Sequence, residues 1–127
     1  MPPSPSKRRS EGRHAAERFG RRAEFVASWY LRLKGYAVLL RRYKTPVGEL
    51  DLIARLGSTL VFIEVKTRRH AEGEAEALMA VNQRRIVRAA QYFVARHPAL
   101  RDSPMRFDVI FLAPGSWPRH LRNAFIS

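Results

Sequence analysis

Two neighbouring apolar runs constrain this chain more than anything else in it: Gly48 to Ala54 (GELDLIA) and Leu60 to Arg68 (LVFIEVKTR). Branched and aromatic residues dominate both, the composition of strands buried on two faces within a sheet. Yet Glu49, Asp51, Glu64 and Lys66 sit inside them. A charge in a buried strand is costly unless something compensates it. Gly57-Ser58 between the runs suits a two-residue type II′ turn with glycine first. In that register Leu56 faces Thr59, Asp51 faces Glu64, and Glu49 faces Lys66. Residues opposed in this way have Cβ atoms roughly 5 Å apart, near enough for two carboxylates to hold one divalent cation. Glu64 and Lys66 share a face of their strand, roughly 7 Å apart along it.

Other elements flank this hairpin. Phe19, Ala23, Val26, Ala27, Tyr30 and Leu33 recur at helical spacing and predict a helix from Ala15 to Lys34, stopped by Gly35. Tyr36 to Tyr43 reads as a strand leading into the turn Thr45-Pro46-Val47-Gly48. A second helix is expected from Leu78 to Arg96, with Val81, Ile86, Ala89, Ala90, Phe93 and Val94 on its apolar side. Arg106 to Leu112 predicts a fourth strand, followed by Pro114-Gly115 and a short terminal segment. The order α-β-β-β-α-β predicts an α/β fold: a mixed sheet of four strands, or slightly more, flanked by helices. Residues 1–13, MPPSPSKRRSEGR, read as a disordered basic tail, and 14–127 as a single domain.

Lys and Arg number 24 against 11 Asp and Glu, a formal charge of +13, which favours a polyanionic partner, nucleic acid first. No stretch approaches the ~20 apolar residues of a spanning helix, and the basic start lacks a signal peptide's apolar core, so the expectation is a cytoplasmic protein without a membrane. With no cysteine there is no thiolate metal site, and His14, His70, His97 and His120 lack ligand spacing. Carboxylate oxygens instead suit Mg²⁺, with Mn²⁺ as a substitute. A lysine on the same face can support an attacking hydroxide or the charge on a phosphate. On spacing alone, a buried ion network among Asp51, Glu64, Lys66 and nearby arginines explains these residues equally well.

The pattern around Asp51, the Glu64-Val65-Lys66 triplet and the basic Thr67-Arg68-Arg69 continuation resemble the PD-(D/E)xK nuclease signature. More closely, GELDLIA, VFIEVKTR, Asn82-Gln83-Arg84-Arg85-Ile86 and Arg106-Phe107-Asp108-Val109 are similar to the YraN family, bacterial endonuclease-like proteins distantly related to archaeal Holliday-junction resolvases. The resemblance spans residues 19–126. It implies a restriction-endonuclease-like core, Asp51 and Glu64 as metal ligands, Lys66 as the catalytic lysine, and Glu24 of the first helix as a third acid at the metal. Glu49 becomes a charge partner for Lys66 or an outer group. Leu50 replaces the signature's proline, and Asn82 stands where relatives often carry lysine. Arg68, Arg69, Gln83, Arg84, Arg85 and Arg88 would contact nucleic acid, chiefly its phosphates. Trp29 and Trp117 lack the spacing of a base-stacking platform and are assigned to core or rim. The expected activity is metal-dependent endonucleolytic hydrolysis of structured or branched nucleic acid, DNA before RNA, with a homodimer suited to a symmetric junction. The alternative is a non-catalytic nucleic-acid-binding accessory protein that keeps the nuclease fold.

Overall fold

The central hairpin forms as its turn chemistry dictates. In the computed structural model, which describes residues 22–67 and 82–125, Gly57 takes φ +60° and Ser58 does not enter the left-handed region. That is the requirement of a type II′ turn. Strand β2 (Gly48–Leu56) and strand β3 (Thr59–Thr67) pair antiparallel from Leu56↔Thr59 to Leu52↔Ile63. Strand β1 (Ala37–Thr45) lies antiparallel to β2, and β4 (Met105–Leu112) lies parallel to β3. The basic tail at 1–13, Arg68, Arg69 and the opening turns of both expected helices lie outside the described residues.

The terminal segment supplies a further strand, β5 (Arg119–Phe125), antiparallel to β4, so the sheet has five strands in the order β1-β2-β3-β4-β5. Its sequence, RHLRNAF, carries little apolar alternation because an edge strand buries only part of one face. Two helices flank the sheet: α1, over residues 22–33, and α2 (Gln83–Arg96). The element order agrees with a restriction-endonuclease-like core. Among the described residues no helix is long and apolar enough to cross a membrane.

Gly35 ends α1 in a Schellman motif: it takes φ +91°, donates its N–H to Arg32, and lets the Tyr36 N–H reach the Leu31 carbonyl. The motif also presses Tyr36 and Leu31 into one cluster with Ala27, Leu52, Ala54, Val61, Ile63 and Ile110. The buried seam of α1 is Ala23, Ala27, Ser28 and Leu31, rotated from the expected stripe, while Val26 and Leu33 are 46% and 78% exposed. Small residues win the seam because they let the helix lie close to the sheet; Ser28 satisfies its hydroxyl by donating to the Phe25 carbonyl. On the opposite face Ile86, Ala89, Ala90 and Phe93 of α2, at the expected helical spacing, cover Leu60, Phe62, Phe107 and Phe111.

Candidate functional site

Besides register shifts at Val38/Leu40 in β1 and Phe107/Val109 in β4, the sheet is irregular around Asp51. Leu50 and Ile53 pack on the α2 side, whereas Leu52 and Ala54 pack on the α1 side. Strict alternation would keep Leu50 with Leu52, so the strand slips phase at Asp51. In β1, Arg41 and Tyr43 pair with Leu52 and Leu50, and Arg42 between them takes φ +55°. For a non-glycine residue that conformation costs roughly 1–2 kcal/mol. On the other side the β2–β3 ladder stops at Leu52↔Ile63, and the Val65 N–H donates to Asp51 Oδ2 at 2.8 Å instead. The expected opposition of Glu49 and Lys66 therefore does not form. Lys66 pairs along its own strand, Nζ lying 3.6 Å from Glu64 Oε1.

The parted strands open a cavity of about 180 Å³ lined by Glu49, Asp51, Glu64 and Lys66, with Asn82, Arg85 and Ile86 from the start of α2. Asn82 is the N-cap, its Oδ1 accepting the Arg85 N–H at 3.2 Å. Gly48 makes this approach of helix to strand possible, because a Cβ there would collide with the Arg85 carbonyl oxygen. The helix N-terminus consequently faces the cavity, where its dipole favours anions.

Asp51 and Glu64 lie within hydrogen-bonding reach of each other. Burial, then the Asp51 carboxylate, push Glu64 up to about 8 against the pull of Lys66. Burial also raises Asp51, partly offset by the Val65 N–H. Among the described residues Lys66 is the ion-pair partner of this pair, and burial with the neighbouring Asp51 charge favours the protonated form of Glu64. Two carboxylates, with waters and a substrate phosphate completing the shell, match the way Mg²⁺ is usually held. No group of three or more His, Cys, Asp or Glu suited to a metal occurs among the described residues.

The remaining candidates are spread around this pair. Glu24 feels Asp51 and Glu49, and its carboxyl is raised by burial first and by Asp51 second. It nevertheless lines an adjoining cavity with Leu39, Leu40, Arg41 and Arg42, and it pairs with Arg42 Nε at 3.5 Å. Of the α2 residues expected to meet nucleic acid, Arg85 lines the carboxylate cavity, while Gln83, Arg84 and Arg88 are exposed and do not line it. Arg68 and Arg69 lie outside the described residues. Asn82, taken from sequence only as a lost basic position, is part of the cavity wall.

Residues 23–112 match the family model described as "Uncharacterised protein family UPF0102". The chain belongs to this family. A UPF0102 protein of Parvibaculum lavamentivorans is 50% identical over 111 residues, 87% of this chain and 84% of the relative. UPF0102 proteins of Methylorubrum extorquens and Mesorhizobium japonicum are 45% and 43% identical, covering 89% and 94% of this chain and 88% and 96% of the relatives. The match agrees with the YraN resemblance in the motifs. The family match ends at Leu112, so β5 lies beyond it.

This UPF0102 chain has another carboxylate centre, on the α1 side of the sheet. Asp108 is fully buried and accepts from Arg106 Nε at 2.9 Å, Arg106 Nη2 at 2.8 Å, His120 Nε2 at 2.7 Å and the Asn123 N–H at 2.9 Å. Tyr36 adds its hydroxyl to the Arg106 guanidinium. Burial raises the Asp108 carboxyl, but the His120 and Arg106 hydrogen bonds outweigh it and hold it below the ordinary value. His120 thus has a core position, its side chain only 2% exposed, and it ties β5 to β4.

Proposed function

We propose that this chain is a metal-dependent nuclease that hydrolyses phosphodiester bonds in structured or branched nucleic acid. The observation that carries the reading is the Asp51–Glu64 pair: two half-buried carboxylates, the second raised to about 8, beside one lysine in a chain of net charge +13. A purely structural pair would be matched by cations, as Asp108 is. Asp51 and Glu64 would hold Mg²⁺. When bound, the ion supplies Lewis acidity toward the phosphate and lowers the pKa of a water. In the hydrolysis the water oxygen bonds to phosphorus, the water's proton passes to solvent, and the ester P–O bond breaks as the leaving oxygen is protonated.

The chain's own residues then divide the work. Asp51 keeps the parted strands in place through the Val65 N–H while presenting carboxylate to the cavity. Lys66 Nζ, on the face of Glu64, adds positive charge beside the phosphate. Arg85 and the N-terminus of α2 receive the anionic backbone of the substrate from the opposite wall. Exposed Arg84 and Arg88, with Arg68 and Arg69, contribute phosphate affinity without reading sequence. Gln83 joins this outer surface, and Glu24, from its adjoining cavity, adjusts the charge around Asp51.

One observation favours a second reading, a nucleic-acid-binding accessory protein without hydrolysis. Glu24 pairs with Arg42 in a cavity of its own, leaving Asp51 and Glu64 as a two-carboxylate set. The test is Mg²⁺- and Mn²⁺-dependent cleavage of labelled junction, flap, single-stranded and duplex DNA and RNA, comparing wild type with Asp51→Asn and Lys66→Ala. The expected result is a loss of roughly a hundredfold or more in each variant with binding retained. Tight binding without cleavage by the wild type would instead establish the accessory protein.

A further inference from the structure

The edge strand β1 changes phase beside the carboxylate pair. Arg41 pairs with Leu52 and Tyr43 with Leu50, so the position of β1 across from Asp51 is Arg42. Leu52 packs on the α1 side, whereas Leu50 and Tyr43 pack on the α2 side. β1 therefore slips at Arg42 as β2 slips at Asp51, and the left-handed backbone of Arg42, φ +55°, accompanies the slip. Strained backbone of this kind clusters at active sites and ligand clamps. Strict alternation would send Arg41 and Arg42 to opposite faces of the sheet. Here both line one cavity of about 420 Å³, together with Glu24 of α1, Leu39 and Leu40.

Glu24 answers one of these two charges, and loosely. Its Oε2 lies 3.5 Å from Arg42 Nε, long beside the 2.8 and 2.9 Å contacts that fasten Arg106 to Asp108. Among the described residues Arg41 has no ion pair. Two guanidinium groups against one carboxylate leave a single positive charge in excess, and a phosphodiester carries a single negative one. The guanidinium fork matches phosphate oxygens in geometry as well as charge. Leu39 and Leu40, both exposed, give the cavity an apolar rim against which a sugar can rest. Glu24 also feels the charges of Asp51 and Glu49, so the cavity lies within electrostatic range of the carboxylate pair.

We infer that Arg41 and Arg42 bind one phosphodiester of a nucleic-acid strand in this cavity, a phosphate other than the one received at Asp51 and Glu64. The placing of that other phosphate rests on the nuclease reading; the arginine site is tested by binding alone. It makes the substrate a polynucleotide whose backbone continues past the cut along the β1 side, and not a lone phosphodiester.

The test is the affinity of labelled oligothymidylate across a salt series in EDTA, for wild type, Arg41→Gln, the double variant Arg41→Gln/Arg42→Gly, and Arg101→Gln. Glycine takes a positive φ without strain, so the double variant should keep the fold and a Tm no lower than that of wild type. Both cavity variants should bind the strand more weakly, and the double variant should lose about 0.7 from the slope of log K against log salt, the worth of one phosphate contact on a single strand. Arg101→Gln, at an exposed position just past Pro98–Leu100, should leave that slope unchanged. With Mg²⁺ the cavity variants should cleave the oligonucleotide more slowly yet hydrolyse bis(p-nitrophenyl) phosphate, a lone phosphodiester, at the wild-type rate. A slope unchanged in the double variant, or lowered as much by Arg101→Gln, overturns the arginine site and leaves the nuclease reading in place. Equal loss on the two substrates overturns it as well, because the arginines would then be acting on the carboxylate pair. The expected fall in slope, in a protein that cleaves neither substrate with Mg²⁺ or Mn²⁺, upholds the site and removes the nuclease.

Discussion

The sheet carries two carboxylate centres, Asp108 fully buried and the Asp51–Glu64 pair half-buried, and they differ most in the donors that reach them. Asp108 accepts four hydrogen bonds, from a guanidinium, an imidazole and a backbone N–H, and is held below the ordinary carboxylate value. Asp51 and Glu64 are two acids with one backbone N–H and one lysine near them, and both are raised. Burial acts on all three in the same direction; the supply of donors decides the sign. A fully satisfied carboxylate is a fastener, here joining β4 to β5 and Tyr36. A carboxylate pair with fewer donors among the described residues, opening on a cavity, is a candidate functional site.

If that contrast is right, substitution should act oppositely at the two centres. The largest effect is expected for Asp108→Asn, which leaves Arg106 without its carboxylate. Urea denaturation at neutral pH should register a loss of roughly 3–5 kcal/mol, and a loss below about 1 kcal/mol would break the comparison. Asp108 is depressed, so its contribution is present above the unfolded value of 3.8 and disappears as pH falls through its folded value.

Gly48→Ala should come next, because the new Cβ would drive β2 and the start of α2 apart. Denaturation should show a cost of roughly 1–3 kcal/mol, together with loss of Mg²⁺ binding by titration calorimetry. Glu64→Gln should do the reverse of Asp108→Asn. In the metal-free protein folded Glu64 keeps its proton up to about 8, whereas the unfolded chain loses it near 4.5. The folded state thus binds more protons across that window, and stability falls as pH rises through it. Removing the charge should raise Tm by roughly 4–8 °C above pH 8 and leave it unchanged at pH 4; scanning calorimetry at the two pH values decides. The smallest effect is that of Mg²⁺ itself. At a concentration equal to Kd it should stabilise the wild type by roughly 0.4 kcal/mol, more readily at pH 8.5 than at pH 6, where protons compete. Asp51→Asn should show no such gain by thermal shift.

Much of the frame was legible in the order of residues. The Gly57-Ser58 turn sets the register, local pairing carries it as far as Leu52↔Ile63, and helical spacing marks Ile86, Ala89, Ala90 and Phe93 as the buried side of α2. The alternation rule also places Glu64 and Lys66 together, and their ion pair follows. These features depend on neighbours a few positions apart, so local propensity and periodicity determine them. The phase slip at Asp51, the left-handed Arg42 beside it and the capture of the Val65 N–H by a side chain were not legible. They arise where three strands meet a helix terminus, and no local pattern encodes that meeting. The same holds for Gly48, which reads as an ordinary turn residue until α2 is seen resting on it. β5 escaped because an edge strand with one partner needs little apolar alternation, and its anchor, His120 and Asn123 on Asp108, joins residues that sequence spacing does not relate to any ligand pattern. By itself the sequence determined which strands of the hairpin would pair and that Glu64 and Lys66 would share a face, because strand geometry is short-ranged. Which carboxylate is matched and which is left wanting charge was decided by tertiary structure alone, because burial and the donors that reach a carboxyl group come from distant parts of the chain.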